Sequence, residues 1–351
     1  MNSRNHVVIS VDAMGGDNAP HFVISAMNEY AKQNSEIRFI LCGIKEEISP
    51  LLSRYPLLSQ HIVNIVYSGE SVKNDDDPIH AFRAKKNSSM RLAIEEVQKN
   101  NANAALSCGN TGALMVTGKM LLHTLNFINR PAIIAPFPTY KNDIVILDLG
   151  ANTEINEQII LQFAIMGSSY SKIEYGIKSP RIGMLNVGNE DNKGRTIERK
   201  GHILLKNSNI NYCGFIEPHQ VINGDVDVVV TDGFSGNIFL KSAEGTAKFI
   251  GKIMKKTVIE AGLLGKIGSF LLRSHLKKVF RTINPSRCNG AMLIGLNGIV
   301  VKSHSGADIE GITNALSVAY RLAKYELNTK ICSDMEEKKH LFQLAKDDNA
   351  S

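Results

Sequence analysis

The sequence has no Cys-x-x-Cys pair, no run of roughly 18 to 20 apolar residues and only 10 prolines in 351 residues. Its five cysteines (Cys42, Cys108, Cys213, Cys288 and Cys332) are odd in number and widely spaced, which excludes a disulfide framework and a zinc knuckle and predicts reduced, mostly buried thiols. Without a long apolar run there is no membrane-spanning helix to place. The polar start MNSRNH passes directly into a strand-like VVISV with no signal-peptide architecture, so a cytoplasmic address is expected. With 43% apolar residues, 21% charged residues and a mean hydropathy of −0.08, the chain is neither disordered nor fibrous. Its length suits one large or two ordinary domains, with ample chain to bury a core.

Familiar catalytic fingerprints are also missing. The first glycine-rich loop is not GxGxxG, and GxxxxGK[ST], HExxH and GxSxG do not occur. Asp75, Asp76 and Asp77 before Pro78 form a solvated turn better than a metal site. Nothing in the pattern requires a cofactor, a metal or a covalent nucleophile.

What is present is an alternation of short β-branched runs with longer amphipathic stretches, the signature of parallel βαβ units covered by helices on both faces. The pattern predicts strands at 7–11, 37–42, 62–67, 104–107, 133–135, 144–149, 181–187 and 226–231, with a late pair at 292–296 and 299–302. Most alternate little, so they should be buried on both sides. Helix starts are signalled by Pro20 after Asn18, by Ser88-Ser89 and by Asn110-Thr111. The expected architecture is a single α/β domain over 1–332, with one or two lobes, and a loosely held polar tail over 333–351.

In an open parallel sheet, ligands sit beyond the carboxyl ends of the strands. Five predicted strands end there in Gly, Asn and Asp: Asp12 to Pro20 with Gly15, Gly16 and Asp17; Ser107 to Gly112 with Gly109, Asn110 and Thr111; Asp148 to Asn152; Asn186 to Glu190 with Gly188; and Asp232 to Asn237 with Gly233 and Gly236. Glycine admits close backbone approach, helix N-termini present free N–H groups, and Asn donates without adding charge. Each cluster alone is as well explained by turns and caps; five at one rim describe an anion-binding floor. Lys86 and Ser88 before a helix, Lys193, Lys241 and His304 could balance a dianion there.

The formal charge of +6 is localised. Residues 246–281 hold nine Lys or Arg against Glu260, a net +8, so the rest of the chain sums to −2. Within this segment, 246–285, GLLGKIGSFLLRSHLKKVFR places Leu263, Leu264, Ile267, Phe270 and Leu271 on one helical face, interleaved with Lys266 and Arg273. Leu272, Leu276, Val279 and Phe280 point about half a turn away, which predicts two helices with a break near Ser269 to Ser274. Such a basic, apolar hairpin suits an anionic membrane surface, would steer an acidic protein, and equally suits a dimer interface. No aromatic platform accompanies the charge, so nucleic acid is not expected.

VDAMGGDNAP (11–20), KKNSSM (85–90), SCGNTGALM (107–115), DLGAN (148–152), LNVGNEDNKG (185–194) and VVVTDGFSGNIFLKSAEG (228–245) together resemble the acyl-ACP:phosphate acyltransferases, the PlsX family of bacterial phospholipid synthesis. The similarity runs in order from Val7 to about Leu327. Two places depart from the family pattern: Cys213-Gly214-Phe215-Ile216-Glu217, read as a turn, where Phe215 replaces an amide, and His304-Ser305-Gly306, where the glycine comes one position late.

The resemblance implies a three-layer αβα, mostly parallel fold like that of isocitrate and isopropylmalate dehydrogenases, with a helical hairpin excursion. It also implies a homodimer and a reversible transfer of a long-chain acyl group from acyl carrier protein to inorganic phosphate. A membrane acyltransferase would use the resulting acyl phosphate, so peripheral membrane association is expected. Phosphate is itself an oxyanion nucleophile and a thiolate leaves readily, so the protein's task reduces to positioning and charge.

On that basis phosphate goes to the Gly15-Gly16 loop, the Asn110-Thr111-Gly112 helix start and Lys193, and the tetrahedral oxyanion to Asn152, Asn186 or Asn237. Asp12, Asp17 and Asp232 hold their loops, or one of them serves as a general base; His304 assists the leaving sulfur. Competing readings are a short-chain phosphotransacylase, a decarboxylating dehydrogenase and a non-catalytic scaffold for carrier protein.

Overall fold

Short β-branched runs pair into one eleven-stranded sheet in this computed structural model, which describes residues 6–272 and 289–342. The strands are β1 (Val7–Asp12), β2 (Ile37–Gly43), β3 (Ile62–Tyr67), β4 (Ala104–Ser107), β5 (Ala132–Phe137), β6 (Ile144–Leu147), β7 (Ile182–Leu185), β8 (Tyr212–Ile216), β9 (Val228–Val230), β10 (Ala291–Ile294) and β11 (Ile299–Lys302). Their order is β3-β2-β1-β4-β11-β10-β5-β6-β9-β7-β8. The left part, β3 to β11, is parallel throughout, as is the right part, β6 to β8. Between them β10 is antiparallel to both neighbours and β5 is antiparallel to β6.

Helices cover both faces. On one, His21–Gln33, Glu157–Tyr175, Ile309–Lys324 and Leu327–Glu337 share a single core with Ile9, Val11, Leu106 and Val301, including the fully buried Phe163 and Leu316. Each such side chain contributes about 1.5–3 kcal/mol by leaving water. On the other face the packing divides into two clusters. Ser89–Gln98 and Thr111–Leu122 cover Val8, Ala105 and Val300, while Phe239, Leu240 and Ala243 of the long helix Gly233–Glu260 cover Ile144, Ile146 and Val229. Ile133 of β5 touches both clusters.

Three expectations change. Tyr212–Ile216 is a parallel strand rather than a turn, because Phe215 and Ile216 bury their side chains and Phe215 stacks on His202 at 4.4 Å between ring centroids. Residues 334–342 are not a loose tail: the helix continues to Glu337, with Met335 and Leu341 buried and Asp334 bound by Ser169, Lys172 and Lys330, while 343–351 lie outside the described residues. The basic segment has a further break at Ala261–Gly262, where Gly262 takes φ +58, a value that a side chain resists, ahead of the expected one near Ser269 to Ser274, inside which the next helix ends at Leu271. Helix Gly262–Leu271 follows. Residues 273–288, which hold Arg273, Leu276, Val279, Phe280 and Cys288, lie outside the described residues.

Of the cysteines described, Cys42 and Cys108 are buried, Cys332 is half-buried and Cys213 is exposed; all are free thiols. Among the described residues no helix is long and apolar enough to cross a membrane, and no His, Cys, Asp or Glu group could hold a metal ion.

Candidate active site

The strand directions place the five glycine-rich clusters at two rims on opposite edges of the sheet, not at one. The β10–β11 and β5–β6 hairpins reverse the chain, so β1, β4 and β11 point their carboxyl ends to one edge and β6, β9 and β7 to the other. A single rim requires these strands to run the same way, and periodicity carries no information on direction.

The first rim gathers Asp12, Gly15, Gly16, Asp17, Gly109, Asn110, Thr111, Gly112 and His304. Asp12 is buried and accepts from Met14 N–H at 3.1 Å, Ser89 Oγ at 2.6 Å and Ser107 Oγ at 2.6 Å. Burial raises its pKa against the pull of these bonds and of the Lys302 charge. Ser107 Oγ also accepts from Gly109 N–H at 3.0 Å. Gly15 lies so close to that turn that a Cβ on it would stand 2.6 Å from Gly109 N.

Asp17 N–H donates to Ser305 O at 2.9 Å, which ties the first loop to the loop after β11, and Asp17 Oδ1 accepts from Asn74. Asn110 caps its helix by accepting from Ala113 N–H at 3.0 Å, and its amide donates to the carbonyls of Lys73, Asn74 and Asp76. The Asn110 side chain is therefore engaged in holding this rim, whereas Thr111 and Gly112 contribute first-turn N–H groups without intrahelical partners. Ser88 is buried and bonds Lys85 O at 2.9 Å beside Ser89; Lys86 is exposed.

At the second rim, following a cis Leu147–Asp148 peptide, the buried Asp148 accepts from Ile133, Gly150, Ala151 and Asn152 N–H groups and from the Asn152 amide. Asn152 Nδ2 donates as well to Pro131 O at 2.8 Å, and its carbonyl accepts from Gly233 N–H at 2.7 Å. Its donors are consumed in the scaffold. A Cβ on Gly236 would meet Asp148 O, which fixes the helix start against this loop.

Asp232 caps the long helix through Ser235 N–H at 2.7 Å and is clamped by Arg195, which also binds Glu198. Those two acids hold the Arg195 pKa above its ordinary value. Asn186 donates to Gly188 O at 3.2 Å; Glu190, Lys193 and Asn237 are exposed.

Sequence reasoning assigned no individual role to Ser89, Ser107, Asn74, Arg195 and Lys302. The first four are ordinary polar residues whose roles depend on long-range approach. Lys302 ends a β-branched strand and is 8% exposed, an unusual burial for lysine. Desolvation brings it down to about 8, with Cys108, Asp12 and Asp17 pulling the other way. His304 N–H donates to Asn289 Oδ1 and His304 Nδ1 accepts from Gly306 N–H; burial and Lys302 lower its pKa. Lys241 is exposed and pairs with Glu244 at 3.6 Å.

The fatty acid synthesis protein family model matches residues 7–330. The chain is 42% identical over 335 residues to a phosphate acyltransferase of Paramagnetospirillum magneticum, covering 95% of each, and 42% identical over 329 residues to one of Rhodospirillum centenum, covering 93% of this chain and 92% of that one. Among solved structures, a phosphotransacetylase from Streptococcus pyogenes aligns over 91% of this chain and 94% of its own with a TM-score of 0.59 at 16% identity. A putative 4-hydroxythreonine-4-phosphate dehydrogenase from Salmonella typhimurium aligns over 90% and 99% with a TM-score of 0.52, also at 16% identity. These structures share the fold; the sequence matches carry the family. The chain belongs to the PlsX family of phosphate acyltransferases and is a transferase enzyme.

Proposed function

We propose that the protein reversibly transfers a long-chain fatty acyl group from acyl carrier protein to inorganic phosphate, supplying acyl phosphate for phosphatidic acid synthesis. The observation that carries this reading is electrostatic: Lys241, Glu244 and Lys248 of the long helix all act on His304 of the first rim. The basic helix thus leaves the body beside the anion-binding loops, where an acidic carrier delivering a thioester would be steered.

Phosphate sits against the Gly15-Gly16 loop and the Thr111-Gly112 N–H groups, and attacks the thioester carbon from about 3 Å. Backbone N–H groups of the same rim meet the developing oxyanion, and the phosphopantetheine thiolate leaves with His304 nearby. Asn186, Lys193 and Asn237 stand at the opposite edge and are not assigned to this phosphate.

From Thr246 onward no residue of the long helix is buried, and Phe249, Ile250, Ile253, Ile259, Ile267 and Phe270 are exposed among lysines. That surface supports peripheral attachment of a cytoplasmic homodimer to anionic membranes, next to a membrane acyltransferase that consumes the product.

The test is phosphate-dependent release of free thiol from long-chain acyl carrier protein, with acyl-CoA and with NAD plus isocitrate as parallel arms. Release only with the carrier and phosphate is expected. Release from acyl-CoA alone would replace the reading by a phosphotransacylase acting on CoA esters.

A further inference from the structure

Three neighbouring parallel strands end in polar residues at the same level of the sheet. Lys302 of β11 is the register partner of Ser107 of β4, and β4 pairs with β1, which ends at Asp12. The carboxylate, hydroxyl and ammonium lie in a row under the Cys108–Gly109 peptide. Ser107 donates to Asp12 and accepts from Gly109 N–H, while Lys302 Nζ donates to Cys108 O at 3.3 Å and to Ser303 O. Two loops of the first rim are thereby fastened to one buried cation.

That cation is satisfied by neutral carbonyls, and among the described residues no carboxylate oxygen comes within ion-pair distance of it. Asp12 and Asp17 act on it only from beyond contact; a buried ammonium with no carboxylate in contact is costly, and an anion arriving at the rim offsets that cost.

We propose that Lys302 is a positioning residue for phosphate: its ammonium locks the Cys108–Gly112 turn to the Ser303–Gly306 loop and supplies the buried positive charge that an incoming phosphate dianion neutralises. The proposal rests on the reading of the first rim as the phosphate site. The groups facing Lys302 are Asp12 and Asp17 after β1, Cys108 after β4 and His304 after β11. Burial pushes the Cys108 thiol up to about 11, and His304 lies below its ordinary value. Lys302, down at about 8, is then the group among these that changes charge between about pH 7.5 and pH 9.5. Phosphate binding should raise it and take up a proton.

The experiment is calorimetric titration of the full chain with inorganic phosphate at about pH 7.5, 8.5 and 9.5, for wild type, Lys302→Met and Lys302→Arg. Wild-type affinity should weaken above pH 8, approaching tenfold per pH unit. Lys302→Met should bind at least tenfold more weakly at pH 7.5, with little pH dependence, and in turnover should raise the KM for phosphate more than that for the acyl donor. Lys302→Arg, always charged, should keep affinity and lose the pH dependence.

Wild-type affinity unchanged from pH 7.5 to 9.5 would overturn the proposal without any variant having to fold, as would wild-type phosphate affinity in Lys302→Met. Either result alongside phosphate-dependent thiol release would leave the proposed reaction standing; absence of thiol release from wild type would remove the reaction instead.

Discussion

Asn110 shows how residue type and residue role come apart. Its position after a strand and before a helix marks it as a cap, and the cap is present. Its amide, expected at the ligand, instead donates to three carbonyls of the Lys73–Asp76 turn. Asn110→Ala should therefore lose about 1 kcal/mol in urea unfolding, and Asn110→Ser should recover most of it by restoring the cap. Turnover should stay depressed in both, because neither re-anchors the turn; full activity in Asn110→Ser would refute that role. Gly15→Ala is the sharper case: the new Cβ would lie 2.6 Å from a backbone nitrogen and 2.8 Å from Asp12 Oδ2, so the loop must move. Phosphate affinity should drop at least tenfold, read by calorimetry on protein whose circular dichroism is unchanged.

Among the elements, the C-terminal helix Leu327–Glu337 depends on Asp334. Burial alone would raise this carboxyl, but Lys330, Ser169 and Lys172 outweigh it and hold the pKa below the usual value. A carboxylate lowered in the folded state stabilises fully above its unfolded value and loses that contribution as pH falls through the folded one. Asp334→Asn should therefore cost about 1.5–3 kcal/mol at neutral pH and flatten the acid limb of a stability curve measured by urea titration. The element was illegible because KICSDMEEKKH looks polar; only docking on Glu157–Tyr175 shows Met335 as core.

The long helix is the converse. Its composition and the helix end at Leu271 are legible in sequence, but the earlier stop at Gly262 is not, because the apolar pattern runs on past that glycine of positive φ. Its exposed stretch from Thr246 to Glu260 spans about 22 Å at about 1.5 Å per residue. Phe249→Glu with Phe270→Glu should release the protein from anionic vesicles in a flotation assay while leaving its oligomeric state unchanged; unchanged flotation would point to a different use for this face.

At the scale of the molecule, charge and topology act separately. The +8 segment against a −2 remainder would make attraction of the proposed acyl carrier protein a long-range effect, screened over about 10 Å at 0.1 M salt. Raising salt from about 0.05 to 0.5 M should increase the KM for acyl carrier protein several-fold with kcat little changed; a salt-independent KM would mean that the basic helix does not steer the carrier.

The sequence by itself determined the fold class, the strand segments apart from Tyr212–Ile216, the family and the location of the charge, since periodicity, loop chemistry and composition are local properties. Only the tertiary structure decided that the five clusters form two rims, that Asn152 and Asn110 spend their amides on the scaffold, and that Lys302 is buried beside the glycine-rich loops of the first rim. Strand direction, hydrogen-bond partners and desolvation arise from contacts between residues up to 288 positions apart, and no local pattern encodes them.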